Sequence, residues 1–436
     1  MKRFLLVLFC ISAAAMNIHT QTAKELAEFW DKHHISKIFP SNVRHKDLKN
    51  YLEQLKKLGV KIDQVGFSNQ NREIYQMEFG SGRTKVFLWS QMHGDEPTAT
   101  SALLDMFAYL EKNKDKDWVK KIAQTLTIRA VPMLNPDGAD VYQRRNSQGI
   151  DINRDALSLQ TPEARLLKKL RDDWSPEIGF NLHNQQSLTT AGRSNKQAAI
   201  SLLVVYGDAA KTTSFGQERN KRLASAMVLA LENFMGGYIA RYDDEYTSTA
   251  FGDNFSAWGT PVILIETGAL HGKDEMFLVK MNFVAILTSL TALADGSESK
   301  FTGADYERLP DNTSGRVFNF IFRNATVIDR ANPETPVTAD IAINAERRRA
   351  EFTAPTFIRQ IGNLSAYAGL EEFNASDYYV TGRFSQAKPG EFGELLFYKK
   401  TRAIDWQAID LEKLYPPDAI FSLGKWLKGG EMFVRR

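Results

Sequence analysis

The chain has 436 residues, of which 43% are hydrophobic and 25% charged, with a net charge of +3. These are ordinary globular values with material for two domains. The small charge, with no basic block or stripe, argues against nucleic acid as a partner; Arg347-Arg348-Arg349 reads as a solvated face. The single cysteine, Cys10, leaves no disulfide framework.

The first residues have the build of an export signal. Lys2 and Arg3 are followed by the apolar stretch Phe4 to Ile11 and the small residues Ser12-Ala13-Ala14-Ala15. The apolar stretch is too short to span a bilayer. Bulky Phe9 before Cys10 argues against lipid attachment there. Residues 1–20 are therefore expected to be removed, leaving a periplasmic or secreted chain with no cysteine and no membrane span.

Residues from about 22 to 60 have helical spacing, with Leu26, Phe29 and Trp30, then Leu48, Tyr51, Leu52 and Leu55. His33, His34 and His45 fall in this polar stretch and read as surface histidines. Next come an alternating strand, Ile74 to Phe79, the turn Gly80-Ser81-Gly82, and an apolar strand, Val86 to Trp89, which predict a hairpin. It leads into Gln91-Met92-His93-Gly94-Asp95-Glu96-Pro97 and a helix over about 97–113. A second apolar strand, Leu126 to Val131, ends in Asn135-Pro136-Asp137-Gly138, which predicts an irregular, tightly turned loop. A polar loop follows, carrying Arg144-Arg145-Asn146 and Asp151-Ile152-Asn153-Arg154-Asp155. Thr161-Pro162-Glu163 is a helix start, with cap, first-position proline and acidic residue.

The strand Ile178 to His183 ends in a histidine; Leu202 to Tyr206 is a further strand, and a helix rich in Leu, Ala and Met spans about 216–235. Val262 to Ile265 runs into Glu266, and a helix around 275–294 closes this half. Lys280 and Asn282 within that helix favour a packed core helix over a membrane span. Alternating strands and helices predict an α/β domain over 21–297, a mixed, mostly parallel sheet flanked by helices. From about 300 to 436 short alternating segments predict a β-rich accessory domain: Val317 to Phe322, Ala325 to Ile328, Ala339 to Ile343, Tyr378 to Val380 and Glu394 to Tyr398.

The strand ends concentrate the chemistry. In an open α/β sheet ligands gather beyond the carboxyl ends of the strands. His93, Glu96 and His183 form a two-histidine, one-carboxylate set that leaves a coordination position open, the pattern of a catalytic zinc site. Such a zinc polarises a carbonyl and lowers the pKa of water to about 7. Glu266, at its own strand end, has the chemistry of the base that takes the water proton.

His93-Gly94-Asp95-Glu96, Asn135-Pro136-Asp137-Gly138, Asp151-Ile152-Asn153-Arg154, His183 and Glu266, in this order, resemble the zinc carboxypeptidases of the carboxypeptidase A superfamily over about residues 60–295. The resemblance implies that fold, one Zn2+ per chain held by His93, Glu96 and His183, and Glu266 as the water-activating base. It also implies that Asn153 and Arg154 grip a terminal carboxylate, which suits the bidentate geometry of a guanidinium. An arginine would stabilise the oxyanion; Arg144 and Arg145 are adjacent candidates, with the spacing slightly favouring Arg144. Tyr246, or else Tyr242, would close over substrate, and Asp137 would orient a metal-binding histidine. A side-chain pocket is expected around Tyr246 to Trp258, with Gly252, Asp253 and Phe255.

Asp95 stands where pancreatic-type members have arginine, and Asp155 where asparagine is more usual. Both departures fit a bacterial branch trimming small or unusual substrates, such as cell-wall peptides. The expected reaction is hydrolysis of a peptide or amide bond beside a free carboxylate. The alternatives are an N-acyl amino acid deacylase of the aspartoacylase type and an inactive, peptidase-like binding module.

Overall fold

The computed structural model describes residues 23–433. The expected export signal and Cys10 lie outside the described residues. The chain divides into two compact units, one running up to Ser187 and resuming over Lys196–Asn312, the other comprising Leu188–Asn195 and the chain from Thr313 on.

The first unit begins with α1 over 23–33 and α2 (His45–Leu58), then β1 (Lys61–Phe67), β2 (Glu73–Phe79) and β3 (Thr84–Ser90). There follow α3 (Thr98–Lys112), α4 (Asp117–Thr125), β4 (Leu126–Val131), α5 (Pro136–Val141), α6 (Pro162–Trp174) and β5 (Ile178–Asn184). β6 (Thr190–Ala191) falls in the excursion that belongs to the second unit. The first unit then continues with β7 (Ile200–Val205), α7 (Phe215–Met235), β8 (Ile239–Arg241), α8 (Phe251–Ala257), β9 (Val262–Thr267) and α9 (Glu275–Asp295).

Its strands form one eight-stranded sheet in the order β1-β2-β4-β3-β5-β9-β7-β8. Pairings β4-β3, β3-β5, β5-β9 and β7-β8 are parallel; β1-β2, β2-β4 and β7-β9 are antiparallel. This is the mixed, mostly parallel α/β sheet the alternation predicts. The alternation also assigns the two faces. Val86, Leu88, Phe180, Leu182, Ile263 and Ile265 pack with apolar residues of α3, α7 and α9. Phe87, Trp89, Val262 and Leu264 pack with Leu167 of α6 and with Phe251 and Phe255 of α8. Both faces are covered, so the central strands are apolar throughout. Among the described residues α9 alone is long and apolar enough to cross a bilayer, and most of it is buried in this core.

Two local expectations need correcting. β2 and β3 do not form a hairpin: β2 pairs with β1 and β4, and β4 lies between β2 and β3. The Gly80-Ser81-Gly82 turn is pinned to the α4–β4 junction, with Ser81 N donating to Ala123 O at 2.8 Å and Gly82 N to Leu126 O at 3.1 Å. It therefore carries the chain across the start of β4. The Asn135-Pro136-Asp137-Gly138 segment is the start of α5, not an irregular loop. Asn135 caps it by accepting from Gly138 N at 2.9 Å, and Pro136 takes the first position, where a missing N–H costs nothing.

The first unit extends beyond Gly296 because residues after α9 still pack into it. Tyr306 is buried, its hydroxyl bonds Val204 N at 3.0 Å, and its N–H donates to Ser225 Oγ at 3.0 Å.

Past β10 (Asn312–Thr313), the second unit is built on β11 (Val317–Val327), β12 (Val337–Ala345), β13 (Thr356–Gly362), β14 (Ala368–Asn374), β15 (Tyr378–Gly382), β16 (Leu395–Lys399), β17 (Ala419–Ser422) and β18 (Lys425–Lys428). They form one sheet, β13-β12-β11-β15-β16-β17-β18, with β14 also paired to β11. The two segments expected at 317–322 and 325–328 are largely one strand, broken in register between Phe322 and Ala325, where Asn324 has φ 58°. An aromatic cluster of Phe322, Phe373, Phe397, Phe421, Trp426 and Phe433 fills its core.

Candidate active site

Three neighbouring parallel strands, β3, β5 and β9, deliver the site at their carboxyl ends. From β3 the chain crosses to β4 on one side; from β4 it returns to β5 on the other, so the site sits at a switch of direction. His93 and Glu96 lie in the tight loop after β3, where Glu96 N donates to His93 O at 3.1 Å. Gln91, at φ 51°, starts this loop; its Nε2 donates to Gly94 O at 3.0 Å and its Oε1 accepts from Thr100 Oγ1 at 2.9 Å. Gly94 is required by close approach, because a Cβ there would lie 2.0 Å from the carbonyl carbon of Gly138. The loop is thus wedged against α5. His183 is the last residue but one of β5, and Glu266 is its register partner on β9, on the same face of the sheet.

His93, Glu96 and His183 are all buried and converge. His183 Nδ1 lies 2.6 Å from Glu96 Oε2 and 3.1 Å from His93 Nδ1, and His93 Nδ1 lies 2.9 Å from Glu96 Oε1. The Nε2–H of His93 donates to Asp151 Oδ1 at 3.0 Å, which leaves its Nδ1 lone pair facing the shared point. The donor set therefore fits zinc: two imidazole nitrogens and a carboxylate around one point. Electrostatics point the same way. Burial pulls His93 down, but the charge of Glu96 and the bond to Asp151 outweigh it, so that in the absence of metal its pKa rises to about 9. Burial pushes Glu96 up, and the two histidines more than reverse this, holding it well below its usual range. Burial holds His183 below its ordinary value, neutral as a metal ligand must be. The carboxylates draw one positive charge into the cluster, and a bound cation meets that demand.

Asp151, not Asp137, is the carboxylate behind His93. Asp137 is committed elsewhere: it accepts from Ser68 Oγ at 2.7 Å, Gln70 N at 2.9 Å, Arg72 Nη1 at 2.6 Å and Ser147 Oγ at 3.0 Å. It pins the β1–β2 turn to α5. Sequence reading passed over Asp151, although it opens the stretch that ends in Asn153-Arg154. Asp151 caps the short turn over Ile152–Arg154, with Asn153 N donating to its Oδ1 at 3.0 Å.

Of the paired arginines, Arg144 reaches the cluster. Its Nε bonds Asp151 Oδ2 at 2.9 Å, and its Nη1 lies 3.1 Å from both Glu96 Oε1 and His93 Nδ1. Arg145 is exposed and closes its own loop on Gly149 O at 3.1 Å. Asn153 and Arg154 share a short 3-10 turn; Asn153 Oδ1 accepts from Phe251 N at 2.9 Å, tying the turn to α8, and the Arg154 side chain is exposed. Asp155 accepts from Gln160 N, Thr161 N and Thr161 Oγ1, so it is a structural brace before α6. The phenol under the influence of Glu266 is that of Tyr242, whose pKa is raised by the Glu266 charge, then by burial, then by Glu96. Tyr246, favoured by spacing, lies half-buried four residues further on.

Residues 48–255 match the family model of the zinc carboxypeptidases, the M14 peptidases. Carboxypeptidase 2 of Trichophyton rubrum is 32% identical over 114 residues, 26% of this chain and 20% of that protein. Carboxypeptidase D of Anas platyrhynchos is 31% identical over 112 residues, 22% of this chain and 8% of that protein. The chain thus spans about a fifth or less of the length of these curated relatives. Among solved structures, a metallo-carboxypeptidase from Burkholderia cenocepacia aligns with TM-score 0.47 and 14% identity, covering 58% of this chain and 69% of that one. Carboxypeptidase A from Helicoverpa armigera aligns with TM-score 0.48 and 15% identity, covering 65% and 81%. All three metal-ligand candidates lie inside the stretch that matches the zinc carboxypeptidase model.

Proposed function

We propose that the chain is a zinc-dependent carboxypeptidase, hydrolysing a peptide or amide bond next to a free terminal carboxylate. The observation that carries this reading is the convergence of His93, Glu96 and His183 on one point, with Glu266 beside His183 in register. Zinc held by those three residues supplies Lewis-acid polarisation of the scissile carbonyl and a water of lowered pKa. Glu266 takes the proton of the attacking water and gives it to the departing amine nitrogen. Arg144, held at the cluster by Asp151 and Glu96, stabilises the oxyanion. Arg154 and Asn153 hold the terminal carboxylate, and Tyr242 rather than Tyr246 covers the bound substrate.

The substrates are peptides or small amides, and the export signal read at residues 1–20 supports an enzyme that acts in the periplasm or outside the cell. Cell-wall peptides are then one accessible class, which a panel with D-amino acid and γ-glutamyl linkages tests. The decisive assay is release of the C-terminal amino acid from peptides. It should stop with a zinc chelator and return with zinc. Glu266→Gln should lower kcat by about 10²- to 10⁴-fold with zinc content intact. Full activity in that variant, or no release by zinc-loaded enzyme, would overturn the reading.

A further inference from the structure

The face of the sheet that carries His183 and Glu266 keeps a trace of solvent below them. Leu203 and Leu264 are 7% exposed, Val205 4% and Asn181 3%, whereas Phe180, Leu202, Ile263 and Ile265 on the opposite face are 0% exposed. Asn181 and Leu264 are register partners, as are Leu264 and Leu203, so these residues adjoin one another. They form a contiguous patch below the site, at the edge of the cluster under α8. Asn181 and Leu264 stand two residues before His183 and Glu266, about 6.6 Å deeper at the usual strand rise. Gly252 of α8 packs over this patch: a Cβ there would lie 3.2 Å from Asn181 Nδ2 and 3.8 Å from both Val205 methyls.

The carboxamide oxygen of Asn181 is buried and has no hydrogen-bond partner. A buried acceptor left unpaired is costly and rare, and calls for a donor. We propose that Asn181 sets the specificity of this site by accepting a hydrogen bond from the side chain of the substrate's terminal residue, and that it selects an uncharged carboxamide, glutamine first. The inference rests on the carboxypeptidase reading above. The neighbouring leucines and valine suit the methylenes of glutamine, and its longer reach suits the about 6.6 Å from His183 down to Asn181 better than that of asparagine. A charged terminus would be desolvated without an opposite charge at the base. The neighbouring carboxylate, Asp253, is bonded to Thr247 N at 2.9 Å and lies in the field of Arg154.

The test uses zinc-loaded full-length enzyme and acylated tripeptides identical except for a final Gln, Asn, Met, Leu, Glu or Lys. The expected kcat/KM for Gln exceeds that for Met, its apolar counterpart in length, by about 10-fold or more, because a site built for a hydrogen bond rejects the analogue that lacks it. Asn181→Leu should reverse the order of Gln and Met, chiefly through KM. Should that variant not fold, Asn181→Asp should move the preference from Gln towards Lys. A purely structural asparagine would lower Tm in either variant and leave the ranking unchanged, which overturns the inference. So does wild-type enzyme that cleaves Met or Leu peptides as well as Gln. Failure of wild-type enzyme to cleave any peptide overturns the carboxypeptidase reading itself, and this inference with it.

Discussion

Replacing Asp151 by asparagine tests the architecture of the metal site directly. Asp151 accepts three hydrogen bonds: Oδ1 from His93 Nε2 and Asn153 N, Oδ2 from Arg144 Nε. Asparagine can serve only part of this set. With its oxygen towards His93, its amide group meets the Nε–H of Arg144, donor against donor. With its amide group towards His93, the imidazole must accept at Nε2 and carry its proton on Nδ1, the atom that faces the ligand cluster. Either way the negative charge behind His93 is gone. Loss of such a supporting partner typically costs 10- to 100-fold in metal affinity, about 1.4–2.7 kcal/mol. Zinc affinity, measured by competition with a chromophoric chelator at neutral pH, should fall by that factor in Asp151→Asn. Asp137→Asn should bind zinc within about twofold of wild type while losing about 1–3 kcal/mol of unfolding free energy, since it leaves buried donors unpaired. The reverse pattern, with zinc affinity lost in Asp137→Asn and kept in Asp151→Asn, would refute the assignment.

Arg144→Ala should lower kcat by about 10²- to 10³-fold, the range for losing one oxyanion donor, whereas Arg145→Ala should stay within about 0.5 kcal/mol of wild type in kcat/KM. Steady-state kinetics on one peptide decides between them. Gly94→Ala forces the His93–Glu96 loop away from α5, because the new Cβ would lie 2.0 Å from backbone; both zinc affinity and Tm should drop. Burial pushes the Asp137 carboxyl up, but its hydrogen bonds from Ser68, Gln70, Arg72 and Ser147 outweigh this and hold it below its usual value. A carboxyl lowered in the fold contributes stability above its unfolded pKa of about 3.9, and that contribution disappears as pH falls through the folded value. The stability difference between wild type and Asp137→Asn should therefore be flat above about pH 5 and shrink below about pH 4. Denaturant melts across that range check it.

The central strands were legible because parallel strands buried on both faces are written as apolar runs: Val86 to Trp89 and Val262 to Ile265 both match strands to within two residues at either end. The edges were not. β1 has only exposed or half-exposed positions, and β8 has three residues, so neither leaves a period to read. The supposed β2–β3 hairpin shows the limit of local reading: its turn has the right residues, but what holds it is the α4–β4 junction more than forty residues later. In the second unit β13 and β14 escaped because they are half-exposed, without clean alternation.

At the site, legibility follows whether a residue's role depends on its own strand or on a distant partner. His93, Glu96, His183 and Glu266 are placed by strand ends, and strand ends can be read. The choice between Asp137 and Asp151 could not be read that way, because both are acidic residues in turns near the right motifs. What separates them is that Ser68, Gln70 and Arg72 occupy Asp137, contacts 65 to 69 residues away along the chain. The same reasoning explains why Arg144 wins over Arg145. Gly94 N donates to Arg144 O at 3.3 Å, and Asn135 Nδ2 bonds that same carbonyl at 3.3 Å and Met92 O at 3.2 Å. One backbone carbonyl is thus tied to both the ligand loop and the cap of α5, which fixes the arginine that follows Gln143 at the cluster and leaves its neighbour to solvent. Asn135 is thus the joint between these loops, and the position of the Arg144 guanidinium follows from it.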